Sequence, residues 1–396
     1  MIFVGSLAQV WGMVNGLQII VHCPTYSLEI PPTVLELIKA MLKLATFSLP
    51  WINIENLTGK NFPLGNESIY ELNDGNLTEK LIDLEYGSIY LSENMGSVFV
   101  IFTITLVGLL MIIVLYPLTI NNHVIRKHHN KLKSFLMWNF CIRLVLEAGI
   151  EIIISSILNL QIGYFYGVPW GAKLNKICAI FFATLFVLSP FLISLFYCCN
   201  FHRLRDAEFI KKWGSTYEGL DVSRRISLVY PIIFVVKRMT FCFVVLFLTK
   251  WPTFQLFATL LMQLLVTCYL LHFRPFETRL LNNLEIFNEV VTNMIVVDMF
   301  LLTETYSLKV KGYGGYGFLF FIGFICAVQL SFLVRSTCQT CLKDCRRRAF
   351  SKRYTRWYHT LQAGEREVEN LRREMMGDCE YRVDVDQEIG LNKVVV

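Results

Sequence analysis

From Gly96 to about Val334 the chain alternates between long apolar runs and short polar connectors. A hydrocarbon core about 30 Å thick is crossed by roughly 20 apolar residues in helical conformation. The runs at 97–120, 134–160, 174–199, 228–249, 251–273, 285–305 and 313–335 meet that length. Residues 2–22 form a further apolar stretch, diluted by Ser6, Gln9, Asn15 and Gln18 and lacking the basic leader and small-residue cleavage site of a signal peptide. Read as a first span, it brings the crossings to eight; if it were removed, seven would remain and every other loop would keep its side. The pattern predicts an all-α polytopic integral membrane helical bundle, with about eight transmembrane helices and one small outer domain.

Charge sorts the connectors. Residues 121–133 carry Arg126, Lys127, Lys131 and Lys133, and 200–227 carry Arg203, Arg205, Lys211, Lys212, Arg224 and Arg225. Arg274 and Arg279 follow in 274–284, and Arg346, Arg347, Arg348, Lys352 and Arg353 open the segment after the last span. The positive-inside rule puts these on the cytosolic side, C-terminus included. Residues 23–95 then face outward as a glycosylated segment with sequons at Asn56, Asn66 and Asn76 and none elsewhere. Within it, Leu35, Ile38, Leu42 and Leu49 recur at helical spacing around Lys39 and Lys43, as in a short helix lying along a membrane surface. The expected order is a first span at 1–22, the outer segment at 23–95, seven helices in 96–336, and a basic tail with a short helix at 337–396.

The composition agrees: 54% of residues are hydrophobic and only 17% charged, too apolar for an ordinary soluble domain. A net charge of +6 is no nucleic-acid signal, because the basic residues flank predicted spans. Of the cysteines only Cys23 falls near the outer segment, so an outer disulfide has no partner. His128 and His129 are joined by no catalytic set, so an enzyme is not expected, nor a cofactor or metal. The partners expected are the lipid bilayer, cations and further copies of the chain.

Ionisable and amide groups inside hydrocarbon are costly and mark function by default. Arg143, Glu147 and Glu151 line one face of span 134–160 at i+4 spacing; Gln255, Thr259, Gln263 and Thr267 do the same along span 251–273. Span 285–305 presents Glu285, Glu289 and Asn293, with Asp298 on its other side. Span 228–249 carries Lys237 and Arg238, which with Arg143 are the expected structural ion-pair partners of the carboxylates. Two readings stand: interhelical hydrogen bonding throughout, or a hydrated cation path bounded by these four helices.

Lys311-Gly-Tyr-Gly-Gly-Tyr-Gly317 contains the Gly-Tyr-Gly of potassium filters, yet no re-entrant pore helix fits before it, and it reads as a flexible outer hairpin. Cys338, Cys341 and Cys345 beside Arg346–Arg348 fit reversible palmitoylation at an anionic membrane surface better than a zinc site; free thiols are the alternative. Trp357, Leu361, Val368, Leu371 and Met375 follow heptad-compatible spacing interrupted by Gly364, the pattern of a surface helix or of weak oligomerisation.

One block carries a resemblance. Lys212-Trp-Gly-Ser-Thr-Tyr-Glu-Gly-Leu220, the Lys237-Arg238 pair, Arg274-Pro-Phe276 and Asn282-Asn-Leu-Glu-Ile-Phe-Asn-Glu289 resemble the C-terminal membrane domain of TRP-like proteins, the group of fungal flavin-carrier/TRP-like and ciliate surface proteins. Trp11-Gly-Met-Val-Asn-Gly-Leu-Gln18 is similar to their first membrane segment, so the resemblance covers roughly residues 1–335. It implies a polytopic domain that conducts cations, calcium especially, in the plasma membrane or an endomembrane. The alternative is a non-conducting receptor or scaffold that binds partners through its outer segment and basic tail. Part of the motif has a plainer reading, since Pro275 stops a helix and Asn282, Asn283, Asn288 and Glu285 suit the start of the next. The topology predicts glycosylation-dependent mobility shifts lost stepwise on Asn56→Gln, Asn66→Gln and Asn76→Gln, with the tail digested by protease only after permeabilisation.

Overall fold

The computed structural model describes residues 16–45, 75–84, 86–119, 126, 129, 148–161 and 169–388. The protein is all-α, with no strand among these residues. In chain order the helices are α1 (Pro32–Ala45), α2 (Gly75–Asp83), α3 (Leu91–Asn94), α4 (Gly96–Thr119), α5 (Gly149–Gln161), α6 (Trp170–Asn200), α7 (Ala207–Trp213), α8 (Tyr230–Phe247), α9 (Pro252–Phe273), α10 (Arg279–Met299) and α11 (Leu308–Glu388). Five helical stretches among the described residues are long and apolar enough to cross a membrane: Val100–Pro117, Trp170–Arg203, Arg225–Phe247, Pro252–Phe273 and Leu308–Arg347. The span expected at 285–305 forms as α10, shifted toward its N-terminus, and its polar residues keep it out of that apolar group. Residues 2–15 and 134–147 of two further expected spans lie outside the described residues.

Helix α9 is built inside out. Gln255, Thr259, Gln263 and Thr267 are buried, whereas Phe254, Phe257, Leu261, Leu264 and Leu265 on the opposite face are exposed. In water that arrangement would be reversed, because apolar area leaves water and amides seek it. α4 carries the point further, with Ile104, Ile113 and Val114 (69% exposed) all exposed. Such surfaces mark a membrane-embedded protein whose outer solvent is lipid.

The main unit, 10–329, has its core where α5, α6, α8, α9 and α10 meet: α8 packs on α5, α6 and α9, and α9 packs on α10. Residues 16–28 belong to that core, with Ile20, Val21, His22, Cys23 and Tyr26 fully buried. Helix α1 does not lie free on a surface; Val34, Ile38, Met41 and Leu42 are buried in the same core as Leu77 and Leu81 of α2. Lys39 joins the two helices by an ion pair to Asp83 at 3.2 Å.

A second, smaller core sits where α6 ends: Tyr197, Leu204, Phe209, Tyr217, Leu220 and Leu228. Here α9 stops as its proline requires. Arg274 takes the left-handed conformation (φ 45°), its N–H donates to the Leu270 carbonyl, and Pro275 follows. Arg224 donates to the carbonyls of Phe273 and Arg274 at 3.0 and 2.8 Å, satisfying acceptors that a helix end leaves open. The Asp221 and Glu277 N–H groups donate to Pro275 and Gly219, which docks the 217–224 loop on the turn. The Ser223 hydroxyl, the Ser223 N–H and Arg224 hold the Asp221 carboxyl below the usual carboxylate range. Helix α10 starts at a Thr278 cap; Asn282 clamps the turn through both backbone groups of Phe276, and Asn288 lies further along and bonds Gln329 instead.

The Lys311–Gly317 run is helical, not a hairpin, because its glycines are contact points within the first turns of α11. A Cβ on Gly315 would fall 2.8 Å from Pro31 Cγ, one on Gly314 3.1 Å from Leu301 Cβ, and one on Gly317 2.5 Å from Asp298 Oδ1. Small residues let helices approach to this range. Lys311 in the same turns donates to Glu29 at 2.7 Å and holds that carboxyl below its ordinary value. In the second unit, residues 330–388 continue α11, and the apolar positions Trp357, Leu361, Val368, Leu371 and Met375 are exposed along it.

Gly317→Val is expected to destabilise the fold by about 1–3 kcal/mol through overpacking against Asp298. Gly323→Ala, where no atom lies within 4 Å of a built Cβ, serves as the control and should leave stability unchanged or raise it by roughly 0.5–1 kcal/mol. Thermal unfolding in bicelles reads both.

Candidate functional site

The polar residues of α8, α9 and α10 form a ladder between these helices. Tyr230 donates to Glu285 Oε1 at 2.5 Å, and its ring packs edge-on against Phe276 of the turn below. About one turn on, Lys237 forms a nearly buried ion pair with Glu289. Next, Asn293 donates to the Thr267 hydroxyl at 2.9 Å, and Thr267 donates to the Gln263 carbonyl. From Glu285 to Asn293 the ladder climbs 8 residues of α10, roughly 12 Å at helical rise, or about two fifths of a hydrocarbon core.

Several rungs are ties. Gln255 accepts from the Ser27 N–H and donates to the carbonyls of Val244 and Val245 at the end of α8. Tyr26 donates to the Thr259 hydroxyl at 2.7 Å. Arg238, 3% exposed, donates to Gln18 Oε1 and lies 3.6 Å from the centroid of the Phe234 ring. An amide oxygen and an aromatic face are thus among the groups that hold this guanidinium. Gln329 donates to Asn288 at 2.8 Å, and a Cβ on Gly16 would fall 3.1 Å from the Gln329 Nε2.

Other rungs are incomplete. Both amide atoms of Gln263 (1% exposed), Glu289 Oε2, Asn293 Oδ1 and Asp298 Oδ2 are buried without a hydrogen-bond partner. Each such atom carries a desolvation cost of roughly 1–3 kcal/mol. Gln263 also borders a cavity of about 10 Å³ with Lys237, Thr240 and Thr259, a volume near that needed by one water.

Of the residues the spacing singled out, the structure brings together Gln255, Thr259, Gln263 and Thr267 of α9, Glu285, Glu289 and Asn293 of α10, and Lys237 of α8. Glu151 is buried on α5, which packs against α6 and α8. Arg143, Glu147, Asn56 and Asn66 lie outside the described residues. Asn76 falls in the first turn of α2, whose Thr78 is buried. Cys338, Cys341 and Cys345 are exposed free thiols on one face of α11. No group of residues suited to hold a metal occurs among the described residues.

The spacing did not single out Gln18, Tyr26, Tyr230 and Asn288 as ladder partners. The signal for Gln18 was present as a polar residue in an apolar run, where it read as dilution. Nothing local marks Tyr26 as a partner of a threonine more than two hundred residues on.

No family model, curated protein or solved structure matches the chain.

Lys237→Met leaves the Glu289 carboxylate uncompensated and should cost about 3–5 kcal/mol, whereas Lys237→Met with Glu289→Met should recover most of it. A double-mutant cycle by denaturant unfolding in bicelles checks the coupling.

Proposed function

We propose that the protein is a multi-pass membrane protein that passes cations along the α9–α10 ladder, in the closed arrangement described above. The observation that carries this reading is the row of unpartnered buried oxygens at Gln263, Glu289 and Asn293. These acceptors sit at successive depths where a dehydrating cation or its waters would need them. Burying an unmet acceptor lowers stability and gains nothing by itself, so these acceptors call for an occupant. The small cavity beside Gln263 supplies the first room for water. In this reading Glu285 and Glu289 attract the ion, Gln263 and Asn293 replace part of its hydration, and Lys237 closes the row by occupying Glu289.

The resemblance of the 212–289 block to TRP-like membrane domains supports the same reading, with eight crossings, the 23–95 segment outside and the C-terminus cytosolic. Basic connectors at 200–227 and 274–284 support that orientation. Calcium fits less well than a monovalent ion while Lys237 is in place, because its ammonium opposes a divalent charge in a medium of low dielectric.

A second reading, a non-conducting receptor or scaffold, is favoured by that same ion pair: a permanently neutralised Glu289 is structural. Purified protein in liposomes separates them. Sodium or potassium flux above that of empty vesicles is expected, changed several-fold in rate or selectivity by Glu289→Gln and by Gln263→Leu. Folded protein that conducts nothing, or two variants indistinguishable from the parent, would replace the channel with the scaffold.

A further inference from the structure

The last turn of α6 carries two adjacent thiols, Cys198 and Cys199, both free and exposed. They do not share the side that packs: Phe196 and Tyr197 face the small core, with Phe196 stacked on Phe209 and against Trp213, and Tyr197 donating to the Thr216 carbonyl. The cysteines continue a different face. Leu188, Phe191 (73% exposed), Leu192 and Leu195 precede them at helical spacing, all exposed, and exposed His202 follows.

That face ends at a boundary. The apolar run of α6 begins after Lys176 and closes at Cys199, with His202, Arg203 and Arg205 beyond it. A thiol at this position reaches polar solvent, while the helix surface one turn back lies in lipid. From Leu188 to Cys199 the exposed stripe runs 11 residues, roughly 16 Å, close to the depth of one leaflet.

We propose that Cys198 and Cys199 form an S-acylation site for long-chain fatty acyl groups. The thiol sulfur attacks the carbonyl carbon of an acyl-coenzyme A thioester; the new S–C bond replaces the old one, and the thiol proton ends on the released coenzyme A thiol. No oxidant is needed. The attached chain enters the bilayer along Leu195, Phe191 and Leu188, and the basic residues at 203 and 205 hold the same edge against anionic headgroups. Each buried methylene adds about 0.8 kcal/mol of membrane attachment in general. Here the helix already spans, so the chains pin the small core and the turn at Arg274 to the membrane surface.

This inference rests on the orientation proposed above, since acyl-coenzyme A is cytosolic. Full-length protein expressed in eukaryotic membranes, blocked at free thiols, treated with hydroxylamine and tagged with a maleimide polymer should show discrete mass steps. Cys198→Ser/Cys199→Ser is expected to lose up to two of them, while Cys338→Ser/Cys341→Ser/Cys345→Ser retains those two. Equal steps in the parent and the Cys198/Cys199 variant overturn the proposal. Labelling of sealed cells with an impermeant maleimide separates the premise: reaction at Cys198 and Cys199 from outside overturns the orientation, whereas reaction only after permeabilisation, without hydroxylamine, overturns acylation and leaves the orientation standing.

Discussion

A polar atom in hydrocarbon has no water to fall back on, so it must find a partner in the protein or remain a cost. The rest of this structure follows from that. Backbone groups meet the demand within their own helices, which is why the described chain is all-α. Side chains must meet it across helices. Helix α9 therefore turns its amides and hydroxyls inward and its phenylalanines outward, and residues 16–28 run through the core to supply what it requires. The packing is specific because each polar tie has one geometry, whereas aliphatic contacts against lipid would allow many.

The end of the bundle near Arg274 shows how the same demand shapes a turn. A left-handed arginine is an unfavourable conformation by roughly 1–3 kcal/mol and persists only where its surroundings determine it. Here they do: Arg224 satisfies the last two carbonyls, Asn282 fixes Phe276, and the Asp221 and Glu277 N–H groups bind across the loop. Phe276 then supports Tyr230, which donates to Glu285. The Arg-Pro-Phe and Asn-Asn-Leu-Glu elements are thus one continuous structure from loop to ladder. Their punctuation role and their link to the ladder rest on the same bonds.

Much of the ladder was legible from spacing alone. The four polar residues of α9 and the three of α10 recur every fourth position, and period is a property of sequence that helices preserve. Partner choice was not legible, since it depends on which helices become neighbours. Lys237 and Arg238 are adjacent in sequence but point to different faces of α8, so one meets Glu289 and the other Gln18. Glu151 is buried on α5, whose packing on α6 and α8 no spacing could announce. The glycine run at 311–317 read as a hairpin because glycine is a weak helix former; its contacts with Pro31, far away in the chain, and with Leu301 and Asp298 at the end of the preceding helix reveal that it is helical for the sake of close approach.

The threading of residues 16–28 has a consequence for the order of assembly. Gln18 and Arg238 are separated by 220 positions, Tyr26 and Thr259 by 233. During synthesis the early segment emerges long before its partners exist, and must wait at the membrane with its amide and phenol unmet. Contacts of such separation form late and slowly. Until α8 and α9 arrive, the growing chain is an exposed client for whatever retains incomplete membrane proteins, and a ribosome stalled before them would leave a product unable to mature.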